Sequence, residues 1–180
     1  LLAVLFLCTM AAAQKNELAI TAGGYFPAGI EGIGAGGAVE GNFAHRLFDA
    51  KLAAIYGEIP LVIGFRVSEV SALSQGHYSS LFLTPALKLK LVPGFFVSPW
   101  FSLGGGWARY KASDANTGTE TVSNHAVLEM GGGMDVKVAP YVSLRGELRD
   151  FYSGIPALSF FPAAARQHNV LAAGGIVFRF

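Results

Sequence analysis

Side chains able to do chemistry are sparse in this sequence. The four histidines, His45, His77, His125 and His168, show none of the spacings that bring two imidazoles onto one metal, and no G-x-S-x-G turn presents a serine nucleophile. Ser123, His125 and Glu129 fall close enough together to suggest a serine, histidine and acid set, which on a lipid-facing outer rim could hydrolyse or transfer an acyl chain. Such short spacings arise easily by chance, so the chain is read as non-enzymatic, with no cofactor and no metal. Gly32, Gly34 and Gly37 satisfy G-x-G-x-x-G, the pattern that lays a pyrophosphate on a helix N-terminus. Pro27 interrupts the approach and an alternating run follows instead of a helix, so these glycines read as a flexible loop. Cys8, the single cysteine, excludes a structural disulfide within one chain.

What must position any functional group is set by where the charges stand. Of 180 residues, 52% are hydrophobic and only 14% charged, against about 25% in ordinary soluble domains. Thirteen Lys and Arg against 12 Asp and Glu give a net charge of +1, which lacks the basic footprint of a nucleic-acid binder. Residues 1–10 form an apolar run followed by Ala11, Ala12 and Ala13, so 1–13 reads as an N-terminally incomplete signal peptide, with the mature domain at 14–180. Beyond it, the longest uncharged stretch is 91–108, broken by Pro93, Pro99 and the glycines at 104–106, and it cannot be a membrane helix.

The apolar residues recur instead with a period of two. In 81–91, Leu81, Leu83, Leu87, Leu89 and Leu91 share one face, and Thr84, Ala86, Lys88 and Lys90 the other. Segments 126–138 and 142–149 also confine their charges to one side, and weaker runs at 17–26, 38–47, 52–61, 99–110 and 169–180 bring the count to eight strands. Each is long enough to cross a bilayer as a tilted strand, for which about 9–11 residues suffice. Short links (48–51, 92–98, 139–141) alternate with long ones (27–37, 62–80, 111–124, 153–168). This predicts an all-β fold, an eight-stranded antiparallel up-and-down transmembrane β-barrel, with both mature termini in the periplasm. Aromatic residues near strand ends form two prospective interfacial girdles: Phe48, Phe95, Phe96, Trp100, Tyr141, Phe178 and Phe180 at one end, and Tyr25, Phe26, Tyr78, Trp107, Tyr110, Phe151 and Tyr152 at the other. A soluble β-sandwich or lipocalin-like barrel would reverse the alternation, with the apolar face inward.

The C-terminal stretch Gly175, Ile176, Val177, Phe178, Arg179, Phe180 resembles the assembly signal of bacterial outer-membrane barrels, with Ala173 replacing the usual polar residue before the glycine. Over its mature length the chain resembles the small eight-stranded barrels related to the transmembrane domain of outer-membrane protein A, the opacity proteins and the "porin family" barrels; 83–90, 104–110 and 145–152 carry the likeness. The resemblance implies a monomer in the bacterial outer membrane, inserted by the barrel-assembly machinery through Gly175, Ile176, Phe178 and Phe180. Its lipid neighbours would include lipopolysaccharide.

With the terminal Phe residues on the lipid face, Glu40, Arg46, Glu58, Lys88, Lys90, Glu129, Asp135, Lys137, Arg145, Glu147, Arg149 and Arg179 point inward. They read as a paired network plugging the barrel. The alternative is a narrow channel in which seven bases against five acids favour anions. Arg66, Arg109, Lys111, Arg149 and Arg166 are candidate lipopolysaccharide contacts at the outer rim. The apolar fourth loop, 154–165, reads as a cover for the mouth or a contact surface. The functional expectation is a structural or surface-binding, adhesin-like role; the alternatives are a narrow porin and, third, a lipid A-modifying enzyme.

Overall fold

In a computed structural model, residues 15–28, 35–70, 74–114, 120–154 and 166–180 are described, with the side chains at 66–70, 74–78 and 112–114 excepted. The signal peptide expected at 1–13, the glycines at 32–34 and most of the fourth loop lie outside these residues. The strands are β1 (Asn16–Ala28), β2 (Gly36–Asp49), β3 (Ala53–Val70), β4 (Ser74–Leu83), β5 (Ala86–Leu91), β6 (Val97–Asp114), β7 (Glu120–Ala139), β8 (Val142–Gly154) and β9 (Arg166–Arg179). Every pairing is antiparallel, and β1 pairs with both β2 and β9, so the sheet closes on itself.

Nine strands make eight staves. Thr84 and Pro85 separate β4 from β5, because Pro85 has no N–H to give the ladder. The interruption costs no register: Leu83 faces Trp107 and Ala86 faces Gly104 on β6, while Leu61 and Glu58 of β3 face the same two residues. Backbone pairing is patched locally, with Gly105 N donating to Pro85 O at 3.2 Å and Thr84 N to Pro60 O at 3.3 Å.

The alternation sorts side chains as a membrane barrel requires. Ile20, Leu87, Leu103, Leu148 and Phe101 are all more than half exposed on the outside, whereas Lys88, Lys90, Glu129, Asp135 and Arg149 are fully buried within. A soluble barrel would place these sets the other way round. Two of the long links are shorter than expected: β3 and β4 pair as far as Val70 opposite Ser74, and β6 and β7 as far as Ser113 opposite Glu120. Their polar composition there reflects strands that continue past the apolar band.

The seam between β1 and β9 is held at its end by Asn16 and Phe180, which exchange backbone hydrogen bonds of 2.9 and 3.0 Å. Farther along, Gly175 lies opposite Thr21, and a Cβ there would fall onto the Ile20 carbonyl. Gly175→Val is therefore expected to impair closure. The check is the fraction of protein that migrates as the compact, heat-modifiable form in unboiled gels, which should fall several-fold, while Ala173→Ser leaves it unchanged.

Candidate functional site

The end of the barrel holding Asn16 and Phe180 is called the terminal end, and the opposite mouth the far end. From the terminal end upward, the lumen is filled in layers. The first is a charged cluster around Glu17 and Asp135. Glu17 reaches Lys88 at 3.1 Å, Lys90 at 2.6 Å, Arg145 at 3.5 Å and Arg179 at 3.5 Å. Asp135 accepts from Arg145 Nε at 2.8 Å and also meets Lys90 and Arg179. Above it, the guanidinium of Arg149 meets four carboxylates: Glu40 at 3.2 Å, Glu58 at 3.0 Å, Glu129 at 2.8 Å and Glu147 at 3.3 Å. Lys88 joins the two clusters, since it also reaches Glu58 at 3.1 Å.

Trp100 sits between the clusters, with Arg145 4.8 Å and Arg149 5.0 Å from its ring centroid. Trp100 is fully buried, so it belongs to the lumen and not to the girdle expected of it. Even numbering on β6 places it with Ser98 and Ser102, on the inward face. Gly133 lies opposite it, where a Cβ would come within 2.7 Å of the indole. Gly131 likewise gives way to the Glu129 carboxylate and the Arg149 stem, whereas Gly104 and Gly106 face the backbone around Pro85.

The next layer is aromatic. Phe82 stacks on Phe151 (centroids 4.6 Å apart, 21° between planes) and contacts Tyr110 edge-on at 5.8 Å and Tyr25 at 6.1 Å. Tyr25, Tyr110 and Phe151 are wholly buried, so these three also leave the expected outer girdle for the lumen. The two tyrosine hydroxyls carry the next, polar layer: Tyr25 donates to Asn169 at 2.8 Å, Asn169 donates to Tyr110 at 3.2 Å, and Gln167 donates to Asn169 at 3.2 Å. Phe26, Phe48, Phe95, Phe96, Trp107 and Phe178 do face outward.

Ten of the twelve residues expected inside are buried: Glu40, Glu58, Lys88, Lys90, Glu129, Asp135, Arg145, Glu147, Arg149 and Arg179. Arg46 and Lys137 have the inward parity but stand half-buried at the terminal rim. Arg46 pairs there with Asp49 at 2.7 Å, and Lys137 borders a register shift. Glu17 was missed, although its odd position on β1, in step with Thr21, is the signal that places it inside. With Glu17 counted, six buried acids face five buried bases among the described residues, so the expected excess of positive charge disappears.

The serine, histidine and acid set does not assemble. All three side chains turn inward, not toward lipid; the Ser123 hydroxyl and His125 Nε2 have no hydrogen-bond partner among the described residues, and Glu129 is engaged by Arg149 and Ser102. Along a strand, His125 and Glu129 are separated by about 13 Å. The G-x-G-x-x-G run leads into β2, not into a helix.

At the far rim, Arg109 is exposed, Lys111 pairs with Glu120 at 2.7 Å, and the Arg166 guanidinium lies 5.5 Å over the Tyr152 ring. Arg149 is fully buried and cannot reach lipopolysaccharide, which corrects its place among the rim contacts; the Arg66 side chain is outside the described residues. A further outward pair went unread in the sequence: His168 Nδ1 meets Asp150 Oδ2 at 2.6 Å.

No protein-family model matches the chain, and no curated relative matches it by sequence. Solved structures do match in fold. Neisserial surface protein A is 13% identical with a TM-score of 0.60, covering 93% of this chain and 98% of its own. Ail, the attachment invasion locus protein of Yersinia pestis, is 15% identical with a TM-score of 0.58 (92% and 99%). The N-terminal β-barrel domain of Pseudomonas aeruginosa OprF is 16% identical with a TM-score of 0.52 (93% and 98%).

Proposed function

We infer that this chain, which has the fold of the small eight-stranded outer-membrane barrels, is an integral outer-membrane protein that works through its outer wall and not through its lumen. The tight turns gather at the terminal end, so that end faces the periplasm and the far end faces outward. The filled lumen speaks against an open pore, and the dispersed Ser123, His125 and Glu129 speak against a lipid hydrolase. The names of two neighbours, a surface protein and an attachment invasion locus protein, favour a surface role.

The observation that carries this reading is the filled lumen. Lys88, Lys90, Glu129, Asp135 and Arg149 are buried together with Trp100, Tyr25, Phe82, Tyr110 and Phe151 inside the wall, whereas Leu87, Phe101, Leu103 and Leu148 are more than half exposed on its outer face. Salt bridges tie the inward charges across the barrel, as Arg149 does to Glu40, Glu58, Glu129 and Glu147. A lumen occupied in this way offers its outer wall and rims, and not a passage, to solutes and partners.

The test is swelling of liposomes that carry the purified, heat-modifiable protein. In isotonic solutions of small sugars they are expected to swell no faster than protein-free liposomes. Swelling that rises with the amount of inserted protein would show a working lumen and sink the reading.

A further inference from the structure

We propose that the terminal mouth of the barrel, ringed by Lys15, Arg46, Lys137 and Arg179, is a docking site for an acidic peptide segment of a periplasmic partner; that the partner is periplasmic rests on the orientation inferred above. Charge is shared unevenly along the barrel. At and below the level of Glu17 and Asp135 stand seven basic side chains, Lys90 and Arg145 within the lumen and Lys15, Arg46, Lys51, Lys137 and Arg179 at the mouth. Three acidic side chains oppose them: those two and Asp49. The rest of the chain has the reverse balance, six bases against nine acids.

Parity decides what these cations reach. Lys15 is in step with Glu17, Arg46 with Asn42 and Ala44, Lys137 with Asp135, and Arg179 with Val177, all buried residues of the inward face. They therefore overhang the mouth and not the surrounding lipid, which meets the opposite parity of Leu18, Leu47, Val138 and Phe178. They also form one arc, because β2, β1, β9, β8 and β7 are consecutive neighbours around the wall. Arg46 N donates to Lys15 O at 2.7 Å, Arg179 lies opposite Glu17, and Lys137 lies opposite Ser143 of β8. With neighbouring strands about 4.8 Å apart, Arg179 stands one spacing from β1 and two from β7.

The layer above leaves these cations unused. Glu17 and Asp135 take their short contacts from Lys90 at 2.6 Å and from Arg145 at 2.8 Å. Arg179 approaches the same two acids only to 3.5 and 3.8 Å, and its buried Nε makes no hydrogen bond among the described residues. Its forked donors remain for an incoming carboxylate. Lys15, Lys51 and Lys137 have no ion pair among the described residues, whereas Arg46 has Asp49 at 2.7 Å.

The barrel's shape selects the ligand. A recess of one sign set in low-dielectric walls focuses its field and concentrates counter-ions. Eight strands leave an interior only wide enough for side chains, and here it is filled, so an anion must be slim and goes no farther than the mouth. An extended peptide sends alternate side chains the same way about 7 Å apart. Two acidic residues with one residue between them thus engage Arg179 and one flank of the arc together.

The test uses the whole protein in phosphatidylcholine nanodiscs and fluorescent hexaglutamate or hexaglutamine, with binding read by anisotropy. Both mouths are open to solvent there, so the result depends neither on which end faces the periplasm nor on whether the lumen conducts, which the swelling assay reads separately. The wild type is expected to bind hexaglutamate at least about tenfold more tightly than hexaglutamine, and to lose that preference in about 1 M NaCl. Lys137→Gln with Arg179→Gln should remove most of the preference. Lys15→Gln with Lys137→Gln, which breaks no ion pair, should lower it several-fold and keeps the test readable if loss of Arg179 disturbs the β1–β9 seam. Arg109→Gln, at the far mouth, should leave it intact. Equal binding of the two peptides, an unchanged preference in both double variants, or an equal loss in Arg109→Gln would each overturn the assignment. Tighter binding of a linear inorganic polyphosphate of the same charge would also overturn it, in favour of phosphate chains.

Discussion

Replacing Arg149 with methionine is expected to lower the unfolding free energy by about 3–5 kcal/mol, read from urea titration of protein refolded into lipid vesicles. Arg149 is fully buried and meets Glu40, Glu58, Glu129 and Glu147 within 3.3 Å. Its removal leaves those carboxylates facing one another, with Lys88 the remaining cation in contact with one of them. The charge, not the volume, makes the site demanding, since methionine fills much of the same space. Adding Glu58→Gln and Glu129→Gln to Arg149→Met should therefore recover most of the loss. If the triple variant is no more stable than the single one, packing around the arginine stem is the larger effect.

Phe82→Ala is expected to cost a comparable amount, about 3–5 kcal/mol, through a different mechanism. Phe82 touches Tyr25, Tyr110 and Phe151, and no polar group waits to use the space it vacates. The same refolding titration measures the loss, and Phe82→Leu should restore much of it. The charged layers beneath are intact in this variant. Planar-bilayer recordings of both the wild type and Phe82→Ala should thus lack discrete conductance steps; steps in the wild type would restore the channel reading.

The two-residue period made the barrel legible, because lipid outside and charge inside imprint opposite chemistry on successive residues. It worked best where that contrast is strongest, as in Lys88 and Lys90 between Leu87, Leu89 and Leu91. It failed where position along the strand was allowed to outweigh parity. Trp100, Tyr25, Tyr110 and Phe151 lie near strand ends and so looked like girdle residues, yet their parity matches the buried serines and acids around them. Glu17 opens the first strand beside Lys15 and Asn16, where rim and interior are hard to tell apart by composition. Arg149 was assigned to both lumen and rim, and burial decides for the lumen. The tall hairpins were missed because strands beyond the bilayer no longer need apolar outer faces. The pairing of His168 with Asp150 spans two strands 18 residues apart, and only the β8–β9 register reveals it.

The stacking of the two charged clusters gives the lumen a direction. With every group ionised, the cluster around Arg149 is negative, one guanidinium among four carboxylates. The cluster nearer the termini is positive, with Lys90, Arg145 and Arg179 around Glu17 and Asp135. A cation drawn toward the first is turned back by the second, and an anion meets the same two barriers in the opposite order. The interior thus stacks two charge layers of opposite sign in series along the barrel, joined through Lys88, which reaches both Glu17 and Glu58.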